Sequence, residues 1–277
     1  MTLVNSLMSL PLFEWAQFSF MRNALVAILI VTPLFAFMGC MIVNNQMAFF
    51  SDCIGHSALS GIAIGALIGI ADPIWSMLVF SAALAIGVTL LRHYGSASSD
   101  SVIGIVMSFT VALGIVILSR GGGFNKYSRF LIGDILSITQ TEILCLIAVA
   151  IIFIVLWLVY FNRIFLVSIN TSLARSRRMS VWTIQGLFAV ITALIVTISI
   201  QWIGILVINA MLILPASAAR NMTKTTAGYL WLAAGINVIS GISGLAASYY
   251  LSTATGATIV LFAMAFYMLS LVIKKFR

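Results

Sequence analysis

Leu144–Tyr160 reads LCLIAVAIIFIVLWLVY, a run without a single charged residue. It is apolar on every side of a 3.6-residue turn and shows no apolar/polar alternation. A strand of a membrane barrel alternates. A stretch this uniform fits a helix whose whole circumference meets lipid or other apolar helices. Thr183–Ile200 has the same character. A spanning helix needs about 20 residues, and that length sets the scale for the rest of the chain.

Working outward, apolar stretches recur near 22–43, 53–70, 74–91, 102–119, 142–161, 182–200, 203–219, 228–248 and 256–273. That makes nine. The stretch 203–219 contains Pro215, which cannot donate its backbone N–H, so it reads as a full span or as a short, broken or re-entrant one, and eight full spans is the alternative. The chain of 277 residues is 62% hydrophobic and 7% charged, against roughly 25% charged for a soluble domain. The expected fold is therefore all-α integral membrane, a polytopic bundle of eight or nine transmembrane helices forming a single domain over 1–277. Residues 1–21 mix Leu, Phe and Trp15 with Pro11, Glu14 and Gln17 and lack a basic start or a cleavage site. They read as an amphipathic segment at the interface rather than a signal peptide.

The net charge of +8 comes from basic residues at the ends of apolar runs, not from a basic face with interleaved aromatics. This excludes nucleic acid as a partner. With nine spans and a cytoplasmic C-terminus, ten of the fourteen Lys and Arg fall inside and four outside, as the positive-inside rule requires. Residues 120–141 then form an external loop with a short helix. Residues 162–181 form the longest cytoplasmic connection, with a short helix over Thr171–Arg178 capped by Asn170 or Thr171. Cys40, Cys53 and Cys145 are too scattered for a disulfide or a zinc knuckle.

Asp52 and His56 are the chemistry-bearing pair. Spacing i, i+4 puts them on one helix face, one turn apart. A carboxylate and an imidazole within a membrane span are either two ligands for a passing divalent transition metal or a hydrogen bond that fixes packing. Gly61, Gly65 and Gly69 follow at four-residue spacing, the small-residue pattern of close helix packing. Asp100, in Ser98-Ser99-Asp100-Ser101, reads as a helix N-cap, and Asp134 and Glu142 as loop residues. His93, beside Arg92, reads as a cytoplasmic anchor. No Walker A pattern and no nucleophile–base constellation occurs. The chain is therefore not read as an enzyme, and no permanently bound cofactor is expected.

Several segments together resemble one family, the permease subunits of zinc/manganese/iron ABC importers. Ser51-Asp52-Cys53-Ile54-Gly55-His56-Ser57-Ala58-Leu59-Ser60-Gly61-Ile62-Ala63 is similar to its Asp-x-x-(Ser/Ala)-His motif and the following Gly-(Ile/Val)-Ala. Asp100 to Ile105, Phe130-Leu131-Ile132-Gly133-Asp134, the run from Gln201 through Pro215 to Arg220, and Ser248 to Leu261 also match, in order, over residues 20 to 275.

The resemblance implies a homodimer or a heterodimer with a sister permease, two ABC ATPase subunits that hydrolyse ATP, and an extracytoplasmic metal-binding protein. It places the whole in the cell membrane's lipid bilayer. It also implies that Asp52 and His56 lie on the metal path, with zinc and manganese the leading cargoes and ferrous iron a third. The alternative is a cation channel or secondary transporter without an ATPase. Asn170 to Met179 corresponds to the family's D-P-E-x-A-x-x-x-G coupling helix, so Asn170, Ser172, Ala174, Arg175 and Arg178 are implied to dock the ATPase. Here the chain departs from the pattern: Asn170 replaces Asp, Ser172 replaces Glu and Arg178 replaces Gly. Ser252 and Ala254 depart near the C-terminal motif, and Asn44-Asn45-Gln46 stand where basic residues are usual.

Overall fold

The computed structural model describes residues 15, 17–70, 72–95, 97–121 and 134–276. Ten α-helices follow in order: α1 Ser19–Asn44, α2 Phe50–Ile68, α3 Pro73–Tyr94, α4 Ser99–Gly121, α5 Gln140–Ile169, α6 Thr171–Ser176, α7 Val181–Ile203, α8 Ile205–Met222, α9 Thr226–Leu251 and α10 Thr255–Lys275. A 3₁₀ turn at Ile135–Ser137 precedes α5. All but α6 are long and apolar enough to cross a membrane, so nine spans exist among the described residues. Of the segment 1–21 read as interfacial, residues 1–14 and 16 lie outside the described residues, while Trp15 is buried and Ser19–Met21 already belong to α1. Most of the 120–141 loop, including Phe130 to Gly133, also lies outside the described residues.

The question posed by Pro215 resolves to nine. α8 is an unbroken helix of 18 residues, about 27 Å at 1.5 Å per residue, close to the ~30 Å hydrocarbon core. Pro215 has no N–H for the carbonyl of Met211. The buried Asn237 of α9 donates its Nδ2 to that carbonyl at 3.1 Å and to the Thr32 carbonyl of α1 at 2.8 Å. Backbone groups freed by a membrane proline must be paired from a neighbour, and here one amide also ties three helices together.

Helix ends explain most of the acidic residues. Asp72 caps α3 through Ile74 N with Pro73 as the first helical residue. Asp134 caps the 3₁₀ turn through Leu136 N. Glu142 closes a capping box with Thr139, a role beyond the solvated-loop reading. Asp100 was expected to cap α4, but Ser98 does so, its hydroxyl accepting from Ser101 N, and Asp100 sits in the first turn. The boundary of the 162–181 connection also moves. α5 runs on to Ile169 because Ile164 and Val167 stay buried, and it stops where Asn170 turns extended.

α2 packs on α3 and α4. A side chain on Gly61 would press on the Met77 backbone at 3.0 Å, and one on Gly65 would collide with Ser76. Gly69 was grouped with them and does something else: at φ 85°, with open space around it, it ends α2 in the left-handed conformation. On the other side Ser57 and Thr110 share a hydrogen bond of 2.5 Å, and Ser60 donates to the Thr110 carbonyl, the polar adhesion common between membrane helices. Outward faces of α4, α5 and α10 carry exposed Ile105, Phe109, Ile151, Ile152, Leu158, Leu261 and Leu269, a surface suited to lipid.

Candidate functional site

The site is built where α2 meets α8. Gly55 makes the approach possible: a Cβ there would lie 2.9 Å from Ile205. Three residues before Gly55 comes Asp52, and four after Ile205 comes Asn209. The close crossing thus brings Asn209 Nδ2 to 2.5 Å from Asp52 Oδ1. The same oxygen faces His56 Nε2 at 3.4 Å, one helical turn along α2. Asp52, His56 and Asn209 share a cleft of about 480 Å³ whose other walls are Phe49, Leu206, Ile213 and Val260.

The cleft opens between the spanning helices α2, α8 and α10. Ser57, next to His56, bonds Thr110, which sits midway along the spanning helix α4. His56 and Asp52 side chains keep 41% and 31% exposure there, so both reach the cleft. Ionisable groups within spanning helices face a cavity, pair with each other and mark ion pathways. Asp52 lies in the first turn of α2, as Asp100 and Glu142 do in their helices; among the described carboxylates it alone lines the cleft with His56.

The donor set is small. Among the described residues no group of three His, Cys, Asp or Glu gathers to hold a metal. Cys53, adjacent in sequence, is fully buried and lines no part of the cleft. One chain therefore offers a carboxylate, an imidazole and an amide without a thiolate, which suits a borderline or hard divalent cation rather than copper(I).

The second predicted constellation sits apart from the first. Asn170 caps α6 through Leu173 N at 3.0 Å. Ser172 is exposed and Ala174 fully buried. Arg175 joins Arg92 and His93 in a cleft of about 560 Å³ with Ser99, Thr171 and Gln185. Arg92 Nε donates to Ser99 Oγ at 3.0 Å and lies within electrostatic reach of Asp100, and among the described residues no carboxylate lines the cleft itself. Arg178 has φ 55°. Its N–H bonds Arg175 O and the Met179 N–H bonds Ala174 O, the Schellman ending whose left-handed residue is usually Gly. Pro215 is buried within α8 and lines neither cleft.

Asn209 and Asn237 escaped the sequence reading. The signal was present, since each is an amide inside an otherwise apolar run, ILVINAMLIL for Asn209 and LAAGINVI for Asn237.

Comparison with known proteins adds the family. A probable iron transport system membrane protein of Haemophilus influenzae is 30% identical over 96% of this chain and 99% of its own length. The high-affinity zinc uptake system membrane protein ZnuB of the same organism is 28% identical over 92% of this chain and 98% of its own. Among solved structures, PsaBC from Streptococcus pneumoniae in complex with Fab superposes with a TM-score of 0.79 at 28% identity, covering 94% of each chain. The model of the ABC 3 transport family matches residues 17–274. With that match running through all nine spans and both clefts, the chain belongs to the ABC 3 transport family.

Proposed function

We propose that this chain is the membrane permease subunit of an ATP-driven importer for a divalent transition metal: zinc, manganese or iron(II). The observation that carries the reading is the Asp52–His56 pair in a cleft between spanning helices. Asp52 and His56 make a short-lived site for the passing ion, with water or a second permease copy supplying further donors. A transport site needs different affinities in its two states rather than tight binding in both. The named relatives include an iron and a zinc system at nearly equal identity, so overall similarity does not select the cargo.

The partners in this reading are a second permease, identical or a sister, two ATPase subunits and an extracytoplasmic metal-binding protein. The chain resides in the cell membrane with its C-terminus and α6 cytoplasmic. α6 and its flanks, Asn170, Ser172, Ala174, Arg175 and Arg178, dock the ATPase. The basic cleft beside α6, free of lining carboxylates among the described residues, supports an ATPase face more acidic than is usual for the family.

The test is ATP-dependent metal uptake into vesicles carrying the permease, its ATPase and the delivery protein. Uptake of one or more of the three metals, collapsing in His56→Ala, is the expected outcome. Uptake of none, or uptake that proceeds without ATP as a channel or secondary transporter would show, overturns the reading.

A further inference from the structure

Asn209 donates to Asp52 through its amide nitrogen, and its carbonyl Oδ1 is buried without a hydrogen-bond partner among the described residues. Oδ1 therefore gives up no hydrogen bond if the amide turns, and the buried unpaired position is costly whichever end of the amide occupies it. The nitrogen faces Asp52 for an electrostatic reason: a carbonyl oxygen there would abut the carboxylate. A cation beside Asp52 reverses that preference. Rotation of the amide about its last side-chain bond then exchanges N–H for C=O on the cleft side.

We propose that Asn209 is a cargo ligand with two settings. Without a cation beside Asp52, its N–H₂ carries the positive pole that faces the carboxylate. With one, its Oδ1 turns inward and becomes the third protein donor. This inference rests on the reading of the cleft as the cargo path and adds a selection rule to it. A carboxylate, a carbonyl and one imidazole, completed by water, form an oxygen-rich set. Manganese(II) and iron(II) accept such a set in octahedral geometry. Zinc favours four-coordinate sites of nitrogen, sulfur and carboxylate and gains least from a neutral amide oxygen. Asn209 thus biases the site toward manganese(II) or iron(II) over zinc.

The experiment compares ATP-dependent uptake of Mn(II), Fe(II) and Zn(II) in vesicles holding the complete complex, each at limiting metal. The variants are Asn209→Ala and Asn209→Leu, the second of the same branched shape without the polar atoms, and the ratio is read on whichever assembles. Loss of a metal-site partner costs about 10–100-fold in affinity. Manganese and iron uptake should therefore fall by at least about tenfold, while zinc uptake falls less than about threefold. Retained zinc uptake also shows that the variant folds, and a merely structural role would lower all three alike. Equal loss of all three, an unchanged manganese-to-zinc ratio, or a wild-type complex that carries zinc alone overturns the inference. Asp52→Ala and His56→Ala variants that transport at wild-type rates overturn the cleft reading itself, and this inference with it.

Discussion

Asn237 Nδ2 lies 3.1 Å from the carbonyl oxygen of Met211, the residue four before Pro215. The amide of one helix therefore stands in for the backbone donor that another helix lacks. That relationship has an energetic signature. Asn237→Leu leaves the Met211 and Thr32 carbonyls without this donor and should destabilise the permease by about 1–2 kcal/mol, between the cost of buried unpaired groups in water and the smaller values in membranes. On a Pro215→Ala background the restored N–H at 215 serves Met211, so the same substitution should cost about 0.5–1 kcal/mol less. Thermal denaturation in detergent of the four proteins of the cycle gives the coupling, and strict additivity would refute the link.

Asp52→Ala and His56→Ala should each cut ATP-dependent metal uptake more than about tenfold while leaving assembly with the ATPase intact. Flux assays beside co-purification separate the two. A flux loss that merely tracks lost assembly would assign the pair to packing.

Arg178 should respond in opposite directions in two assays. A non-glycine residue in the left-handed region pays roughly 1–2 kcal/mol, so Arg178→Gly should stabilise the fold by about 0.5–1 kcal/mol after glycine's own entropy cost. It also removes a cation from the docking segment and should weaken ATPase binding. Melting curves and a binding titration test the pair of signs, and a destabilised Gly variant would contradict the geometry at φ 55°.

Reversing the basic cleft should act on docking rather than on the metal site. Arg175→Glu should lower affinity for the native ATPase. Wild-type docking should weaken as salt rises past the point where the Debye length shrinks below about 10 Å. An ATPase from a typical family member should bind less well than the native one. Equal binding of both ATPases by pull-down would remove the case for an acidic counterface.

The spans were legible because uniform apolar runs have one physical solution in lipid, and Asp52 with His56 because charge within a span stands out. The ends of helices were harder. Gln46, Arg178 and Ser252 all adopt positive φ and close α1, α6 and α9 with paired turn hydrogen bonds, yet none is the glycine that announces such an ending. Gly69, which does announce one, was read as a packing residue because its four-residue spacing from Gly65 continued a pattern. Asn209 was hidden for another reason: its meaning depends on Gly55, 154 positions away, and no local pattern carries that crossing.

That Asp52 is the one carboxylate among the described residues lining its cleft has an electrical consequence. In the proposed reading, a divalent ion held by the Asp52 of a single chain with neutral imidazole, amide and water donors would keep one uncompensated positive charge. Each elementary charge crossing the membrane is worth about 2.3 kcal/mol per 100 mV. The loaded site therefore feels the membrane potential even before the ion leaves it, and an interior-negative voltage draws the occupant toward the cytoplasm. A second carboxylate would have cancelled that pull and lengthened the ion's stay. With one, the proposed import through this cleft should quicken as the cell interior is made more negative.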